Sequence, residues 1–163
     1  MSENKLKAYF GCDPGAKGSI CLLVPEHTEN NIIFADTTTS PDQLYEALKL
    51  SAQEFTLAPI MIENVSSIPG ASAGSNFKFG YNVGMLQGII QSTAIGMDTV
   101  RPKAWQKELG IAAKFKGKDI KKEVARLIKQ IYPTASIHGP KGGLLDGRAD
   151  ALAIAHHCML KYN

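Results

Sequence analysis

Five short apolar runs, separated first by turns and then by helix-like segments, constrain the fold of this chain more than any other feature. The runs lie at residues 7–12, 19–24, 31–35, 58–65 and 97–100. The first three are so close together in sequence that they favour an antiparallel meander. A strand that returns after a helix is expected to pair parallel to an earlier strand through a right-handed crossover. The pattern therefore predicts an α/β domain with a mixed five-stranded sheet flanked by helices.

Helix-like segments complete this pattern, and the chain is predicted to form a single domain over residues 1–163. Ser40 and Pro41 are typical of a helix start, with serine as the cap and proline in the first turn. Further helices are predicted at about residues 76–94, 119–131 and 146–160. In this arrangement the first strand, the end of the fourth strand and the last helix all carry acidic residues.

The helix predicted at residues 76–94 has three glycines, Gly80, Gly84 and Gly88, on one face. Glycine costs up to ~1 kcal/mol in a helix interior, so close packing against the sheet or a partner helix is expected to compensate. The preceding residues 66–75 are small and rich in glycine and serine. They are more typical of a mobile, substrate-facing loop than of a tight connector.

Four carboxylates, Asp13, Glu63, Asp146 and Asp150, lie in or beside apolar segments. A single acid in such a place is ordinarily an exposed helix cap or half of a salt bridge. Asp146 and Asp150, however, are four residues apart on one helix face and repel each other unless a cation is near. If the first and fourth strands are neighbours, Asp13 and Glu63 face the same point. An all-oxygen site of this kind suits Mg²⁺, with Mn²⁺ able to substitute, and two such ions can drive phosphodiester hydrolysis.

Positive charge is concentrated in one part of the chain. Residues 101–130 contain ten basic and three acidic side chains, whereas the whole chain has a net charge of only +3. This asymmetry predicts a docking surface for a polyanion such as DNA. The alternative is an ordinary solvated helix face. The predicted DNA contacts are Lys103, Lys107, Lys114, Lys116, Lys118, Lys121 and Lys122.

The cysteines and histidines give little support to a zinc site. Cys12, Cys21 and Cys158 form no CxxC pair and lie in apolar contexts, which predicts buried free thiols in a reducing compartment. His156 and His157 are adjacent and point in different directions on a helix, so packed or surface histidines are the preferred interpretation.

The chain is expected to work in the cytoplasm, away from membranes. The N-terminal residues 1–7 lack the apolar core of a secretory signal. No apolar run approaches the roughly 18 to 20 residues of a membrane span.

Three motifs together resemble the acidic motifs of RuvC-type Holliday junction resolvases. They read FGCDPG at residues 10–15, IENV at 62–65 and DGRADALAIA at 146–155. The resemblance runs across nearly the whole chain in the same order, and the spacing of the paired aspartates is similar to the phage and plasmid branch. It implies a ribonuclease H-like fold and a homodimer that nicks a four-way DNA junction symmetrically with Mg²⁺, in the cytoplasm of a bacterial host if phage-encoded. By position, Asp13, Glu63, Asp146 and Asp150 would be catalytic metal ligands. Lys118 and Lys121 fall where family lysines contact DNA phosphates.

The chain departs from this family in one place. The bacterial housekeeping enzymes have an aromatic wedge three residues after the glutamate, where this chain has Ser66. The residues expected to open the junction are therefore Ile68, Phe77 or Phe79.

Three other functions remain open on sequence grounds. A broader nuclease could act on flaps, replication forks or RNA–DNA hybrids, because selectivity depends on the loop and the dimer. Residues 13–19 also resemble the first phosphate loop of actin-like ATPases and sugar kinases, but those proteins enclose ATP between two such domains and this chain has one. A non-catalytic junction-binding scaffold is the third, although such a scaffold gains nothing from clustered acids near DNA.

Overall fold

The computed structural model describes residues 5–27, 31–36 and 39–163. Residues 1–4 of the predicted N-terminal segment and residues 28–30 between the second and third strands lie outside these ranges. The strands within them are β1 (Lys7–Cys12), β2 (Ser19–Leu23), β3 (Ile32–Asp36), β4 (Thr56–Leu57), β5 (Ile60–Glu63) and β6 (Met97–Val100). The helices are α1 (Pro41–Glu54), α2 (Ala73–Ser92), α3 (Pro102–Glu108), α4 (Lys118–Ile131) and α5 (Asp146–Tyr162).

The sheet is mixed, as predicted. Its main path is β3-β2-β1-β5-β6, and β4 pairs with β1 beside this path. The first three strands form the antiparallel meander, whereas β4 and β5 pair parallel to β1 and β6 pairs parallel to β5. The five-stranded arrangement is therefore confirmed, with the two-residue strand β4 added just before the predicted fourth strand.

Helices cover both faces of the sheet. On one face, α3, α4 and α5 enclose a core that includes Met61, Trp105 and Leu152. On the other face, α1 and α2 cover Ile62, and Leu48 of α1 packs there. The α5 helix is buried along most of its length, so it is the central element of the first core. This α/β layering places the ends of β1 and β5 against the start of α5.

Two details of the helices differ from the sequence-based expectations. The α2 helix begins at Ala73, where the Ser72 hydroxyl accepts a hydrogen bond from the Ser75 N–H, so the end of the predicted loop is helical. The short α3 helix, with Pro102 in its first turn, was not predicted. Its seven residues are too few for a clear apolar periodicity.

The predicted packing of the glycine face onto the sheet is wrong. A Cβ atom added at Gly80, Gly84 or Gly88 would have no atom within 4 Å. Instead, Leu86 and Ile90 form the buried side of α2. The glycines face outward because these two large apolar side chains occupy the side toward the sheet.

Cys12, Cys21 and Cys158 are free and buried, as predicted. Throughout the described ranges, each helix is too short or too polar to cross a lipid bilayer.

Candidate active site

Parallel pairing of β1 and β5 brings two of the acids together. Cys12 is in register with Ile62, so Asp13 and Glu63 come next on neighbouring strands. Side chains alternate between the faces of a sheet. Since Cys12 and Ile62 lie in the core covered by α1 and α2, the alternation directs Asp13 and Glu63 toward the face covered by α5.

Two glycines allow α5 to lie directly against these strand ends. A Cβ at Gly11 would be 2.2 Å from the Ala155 nitrogen and 2.3 Å from the Ala151 oxygen. At the start of α5, a Cβ at Gly147 would be 2.0 Å from the Lys17 oxygen. Only glycine permits backbone contacts this close. The close approach places the first turns of α5, with Asp146 and Asp150, beside the strand-borne acids.

The buried acids interact electrostatically. Burial raises the pKa of Asp150 to about 8, and the charges of Asp13 and Glu63 act in the same direction. Burial also raises the pKa of Glu63 to about 7, against the lowering effect of a hydrogen bond from Trp105. The pKa of Asp13 is raised by burial, although the Gly15 N–H donates to its Oδ1 at 3.0 Å. Asp13, Glu63 and Asp150 therefore share one neighbourhood that disfavours negative charge.

Lys121 of α4 supplies a positive charge at this cluster. Its ammonium group contacts the Asp146 carboxylate, and this hydrogen bond raises the pKa of Lys121. Asp146 in turn adds to the raised pKa of Asp13 and Asp150. The structure thus brings all four predicted acids together, with Lys121 among them.

The donor set fits a hard divalent cation, although the side chains are not arranged around one. Within residues 5–27, 31–36 and 39–163, no three His, Cys, Asp or Glu residues are grouped so that they could hold a metal ion. Asp146 is engaged by Lys121, and burial raises the pKa of Asp150 and Glu63, with the negative charge of neighbouring acids acting in the same direction. Carboxylate oxygens are the ligands that Mg²⁺ and Mn²⁺ prefer, and a cation would relieve this charge.

Trp105 is a site residue that sequence reasoning missed. Its indole Nε1–H donates a hydrogen bond to Glu63 Oε1 at 2.9 Å. The residue lies on α3, and the contact joins positions 42 residues apart in the chain. No local pattern predicts such a pairing; the only signal in the sequence is that this tryptophan is the single one in the chain.

The seven predicted DNA-binding lysines lie in one stretch of the chain and differ in their contacts. All are exposed residues of α3, of the segment that follows it or of α4. Among them, Lys121 is the one that contacts an acid of the cluster. Lys103, with Arg101, also lines an open groove of about 480 Å³ that includes Asn64 and Ser66. Asn64 directly follows Glu63, so this groove begins one residue from an acid of the cluster.

The candidate junction-opening residues differ in exposure. Ile68 is 43% and Phe77 75% exposed, whereas Phe79 is partly buried. Tyr81, which was not predicted, is 64% exposed one helical turn after Phe77. The side chain of Asn76 binds the backbone of Ile68, accepting from its N–H at 2.7 Å and donating to its oxygen at 3.4 Å. An amide clamp thus holds the Ile68 loop against the start of α2.

The two adjacent histidines contact residues at the ends of α3 and α4. The Tyr132 hydroxyl lies 2.8 Å from His156 Nδ1. His157 contacts the Glu108 carboxylate at the end of α3. These contacts confirm the interpretation of packed histidines.

Comparison with known proteins identifies the architecture. No protein-family model and no curated protein matches the sequence. The solved structures that match include two from Thermus thermophilus: RuvC in complex with Holliday junction substrate, and RuvC without a stated ligand. The TM-scores are 0.59 and 0.57 at 17% and 18% identity, and each match covers 96% of this chain and 95% of the other. The chain therefore has the RuvC-type fold, a ribonuclease H-like α/β architecture.

Proposed function

We propose that this protein is a divalent-metal-dependent endonuclease that resolves four-way DNA junctions by paired, symmetric nicks. The observation that carries the proposal is that the paired ends of β1 and β5 and the first turns of α5 bring Asp13, Glu63, Asp146 and Asp150 into one neighbourhood of a RuvC-type fold. Such a cluster costs stability in the absence of a cation, as expected for a site that is built for binding rather than for folding. A cytoplasmic location, in a bacterial host if the chain is phage-encoded, accords with this activity.

The four acids would hold Mg²⁺ or Mn²⁺, which supplies an activated water and stabilises the leaving oxygen of a phosphodiester. Asp13 and Glu63 are placed by the pairing of β1 with β5, and Asp146 and Asp150 by α5. Rigid elements of this kind hold ligands more accurately than loops do.

Lys121 has two partners in this proposal. In the DNA-free protein it compensates the charge of Asp146. When a DNA phosphate enters, the same ammonium group can bind it, since Lys121 is an exposed residue of α4. Lys103, Lys107, Lys114, Lys116, Lys118 and Lys122 would hold the neighbouring phosphates.

The homodimer belongs to the proposal because paired nicks at a symmetric junction require two sites related by a two-fold axis. The outer face of α2 supports it: Gly80, Gly84 and Gly88 leave open space there, and Phe77 and Tyr81 are largely exposed. A second copy of α2 could approach such a face closely. Sedimentation of a monomer at micromolar concentration with junction DNA present would contradict the dimer.

The experiment uses a labelled four-way junction and a linear duplex of the same sequence, with Mg²⁺ or with EDTA. We expect paired nicks in the junction alone, and only with Mg²⁺. Asp13→Asn should abolish cleavage while retaining junction binding. Asp42→Asn is the matched control because Asp42 is an exposed acid of α1, on the opposite side of the sheet.

Three other results of this experiment would contradict parts of the proposal. Undiminished cutting by Asp13→Asn would remove Asp13 from the mechanism. Equal cutting of junction and duplex would indicate a broader nuclease. Junction binding without cutting, with either metal, would indicate a non-catalytic scaffold.

A further inference from the structure

A buried tryptophan holds one oxygen of a candidate metal ligand. Trp105 is 2% exposed, and its Nε1–H donates to Glu63 Oε1 at 2.9 Å. An indole N–H is a donor only, and it needs an acceptor when it is buried. Glu63 has two carboxylate oxygens, so the second remains available for another partner.

The tryptophan ring is itself held in place. It belongs to the apolar core that also contains Val100 and Ile128. The α3 helix that carries it starts at Pro102, two residues after β6 ends at Val100, and Val100 is in register with Glu63. Sheet pairing thus positions the Glu63 backbone while the core-anchored indole fixes its side chain.

We propose that Trp105 is a positioning residue that orients the Glu63 carboxylate toward the other three acids for metal binding. This inference rests on the proposed function, because it assigns a metal ligand role to Glu63. A carboxylate on a flexible two-carbon stem loses rotamer freedom when it binds a metal. A partner that holds it beforehand lowers that cost, as is general for groups that orient metal ligands from the outer shell.

The same helix links Glu63 to the basic surface. Lys103 and Lys107 are exposed residues of α3, whereas Trp105 between them is buried. A DNA phosphate bound by these lysines would therefore contact the helix whose Trp105 binds Glu63. The position of α3 is further secured by contact of Glu108 with His157 of α5.

A purely structural role for Trp105 makes a different prediction. In that case the hydrogen bond to Glu63 would only satisfy the buried indole N–H. Loss of this hydrogen bond would lower stability without changing the affinity for metal. The distinction requires a variant that retains the aromatic ring and a control that loses a comparable hydrogen bond elsewhere.

Trp105→Phe retains an aromatic ring but lacks the N–H, and Tyr132→Phe is the control that loses a comparable hydrogen bond elsewhere. Tyr132→Phe removes the hydroxyl that contacts His156, in a partly buried place on the same face of the sheet. Mn²⁺ affinity is measured by calorimetry on the DNA-free protein, together with thermal unfolding. We expect Trp105→Phe to weaken Mn²⁺ binding about tenfold or more, in the range typical for groups that orient metal ligands, and Tyr132→Phe to leave it unchanged.

Junction cleavage completes this test. Trp105→Phe should slow single-turnover cleavage at low Mg²⁺. The cleavage rate should recover toward that of the wild type at high Mg²⁺, and the affinity for junction in EDTA should be unchanged. Equal Mn²⁺ affinity in Trp105→Phe and wild type would overturn the assignment. So would equal losses of affinity in the two variants, because these would show a general loss of stability.

The wild-type protein offers a measurement that does not depend on a folded variant. Trp105 is the only tryptophan, so intrinsic tryptophan fluorescence reports its environment. Mg²⁺ should change the emission with the same midpoint as metal binding, and EDTA should reverse the change. An emission that is unaffected by saturating Mg²⁺ would overturn the inference.

The inference and the proposed function can fail separately. A protein that shows the metal effects of Trp105 but cuts no branched DNA would support the positioning role and contradict the nuclease. A protein that resolves junctions with the same metal dependence in wild type and Trp105→Phe would contradict the positioning role alone.

Discussion

The region that carries the four acids and the outer face of α2 differ in how completely their residues are packed. At the acids, β1 and α5 approach so closely that Gly11 has backbone atoms of α5 where a side chain would begin. On the outer face of α2, formed by Phe77, Gly80, Tyr81, Gly84 and Gly88, the glycines have open space and the aromatic rings face outward. The first region is packed within one chain, whereas no other part of residues 5–27, 31–36 and 39–163 covers the glycines of the second.

This difference separates two requirements of the proposed enzyme. Metal ligands must be held to within a fraction of an ångström, which a packed sheet and helix achieve. Recognition of a branched substrate or of a second subunit needs an accessible surface instead. Substitutions should therefore affect stability in the first region and recognition in the second.

The largest effect is expected from Gly11→Ala. The added methyl group would be 2.2 Å from the Ala155 nitrogen, so β1 and α5 must separate. We expect the free energy of unfolding to fall by about 3 kcal/mol or more, as measured by urea denaturation.

Gly84→Ala is the matched control on α2. The added methyl group would have no atom within 4 Å, and alanine favours a helix over glycine by up to ~1 kcal/mol. The free energy of unfolding should therefore rise or stay the same. A similar loss in both variants would contradict the packing difference between the two regions.

A smaller effect on recognition is expected from Phe77→Ala. Because its ring is 75% exposed, truncation should change the free energy of unfolding by less than about 0.5 kcal/mol. If the ring stacks on an unpaired base, junction affinity should fall by about 1–3 kcal/mol, and titration of labelled junction would measure this. Leu50→Ala, at a 61% exposed position of α1, is the control and should bind normally. Normal binding by Phe77→Ala would exclude Phe77 as a junction-opening residue.

The smallest effect concerns the end of α5 that is remote from the acids. Lys161 and Tyr162 donate to Asp98 Oδ2 at 2.5 and 2.6 Å, and these hydrogen bonds lower the pKa of Asp98 to about 2. Since the pKa is lower in the folded than in the unfolded state, this contribution to stability is present above about pH 4. It is lost as the pH falls toward 2.

Asp98→Asn should therefore lower the free energy of unfolding at pH 7 by at most about 1 kcal/mol, because the pair is partly solvated. The difference from wild type should shrink between about pH 4 and pH 2, as followed by urea denaturation at several pH values. A difference that does not depend on pH would show that the charge of Asp98 is not involved.

Much of the fold and of the acid cluster could be predicted from local patterns. The apolar runs, their turns and the order of strands and helices predicted the mixed sheet, and parallel pairing of β5 with β1 placed Asp13 next to Glu63. These predictions succeed because alternation and helical spacing are properties of neighbouring residues. The acids were recognisable because charge beside an apolar strand is costly and needs a reason.

Other features depend on contacts between segments that are distant in the chain. The hydrogen bond from Trp105 to Glu63 and the contact of Lys121 with Asp146 join residues far apart in the chain, and no periodicity encodes such pairs. The glycines of α2 were predicted to pack against the sheet or a partner helix. Which side of a helix faces the sheet depends on all its side chains, and Leu86 and Ile90 occupy that side. Local patterns in the sequence were enough to propose the four acids as metal ligands. Which side chains meet them was set by the packing of α3, α4 and α5 against the sheet, because those contacts form only when distant segments are buried together.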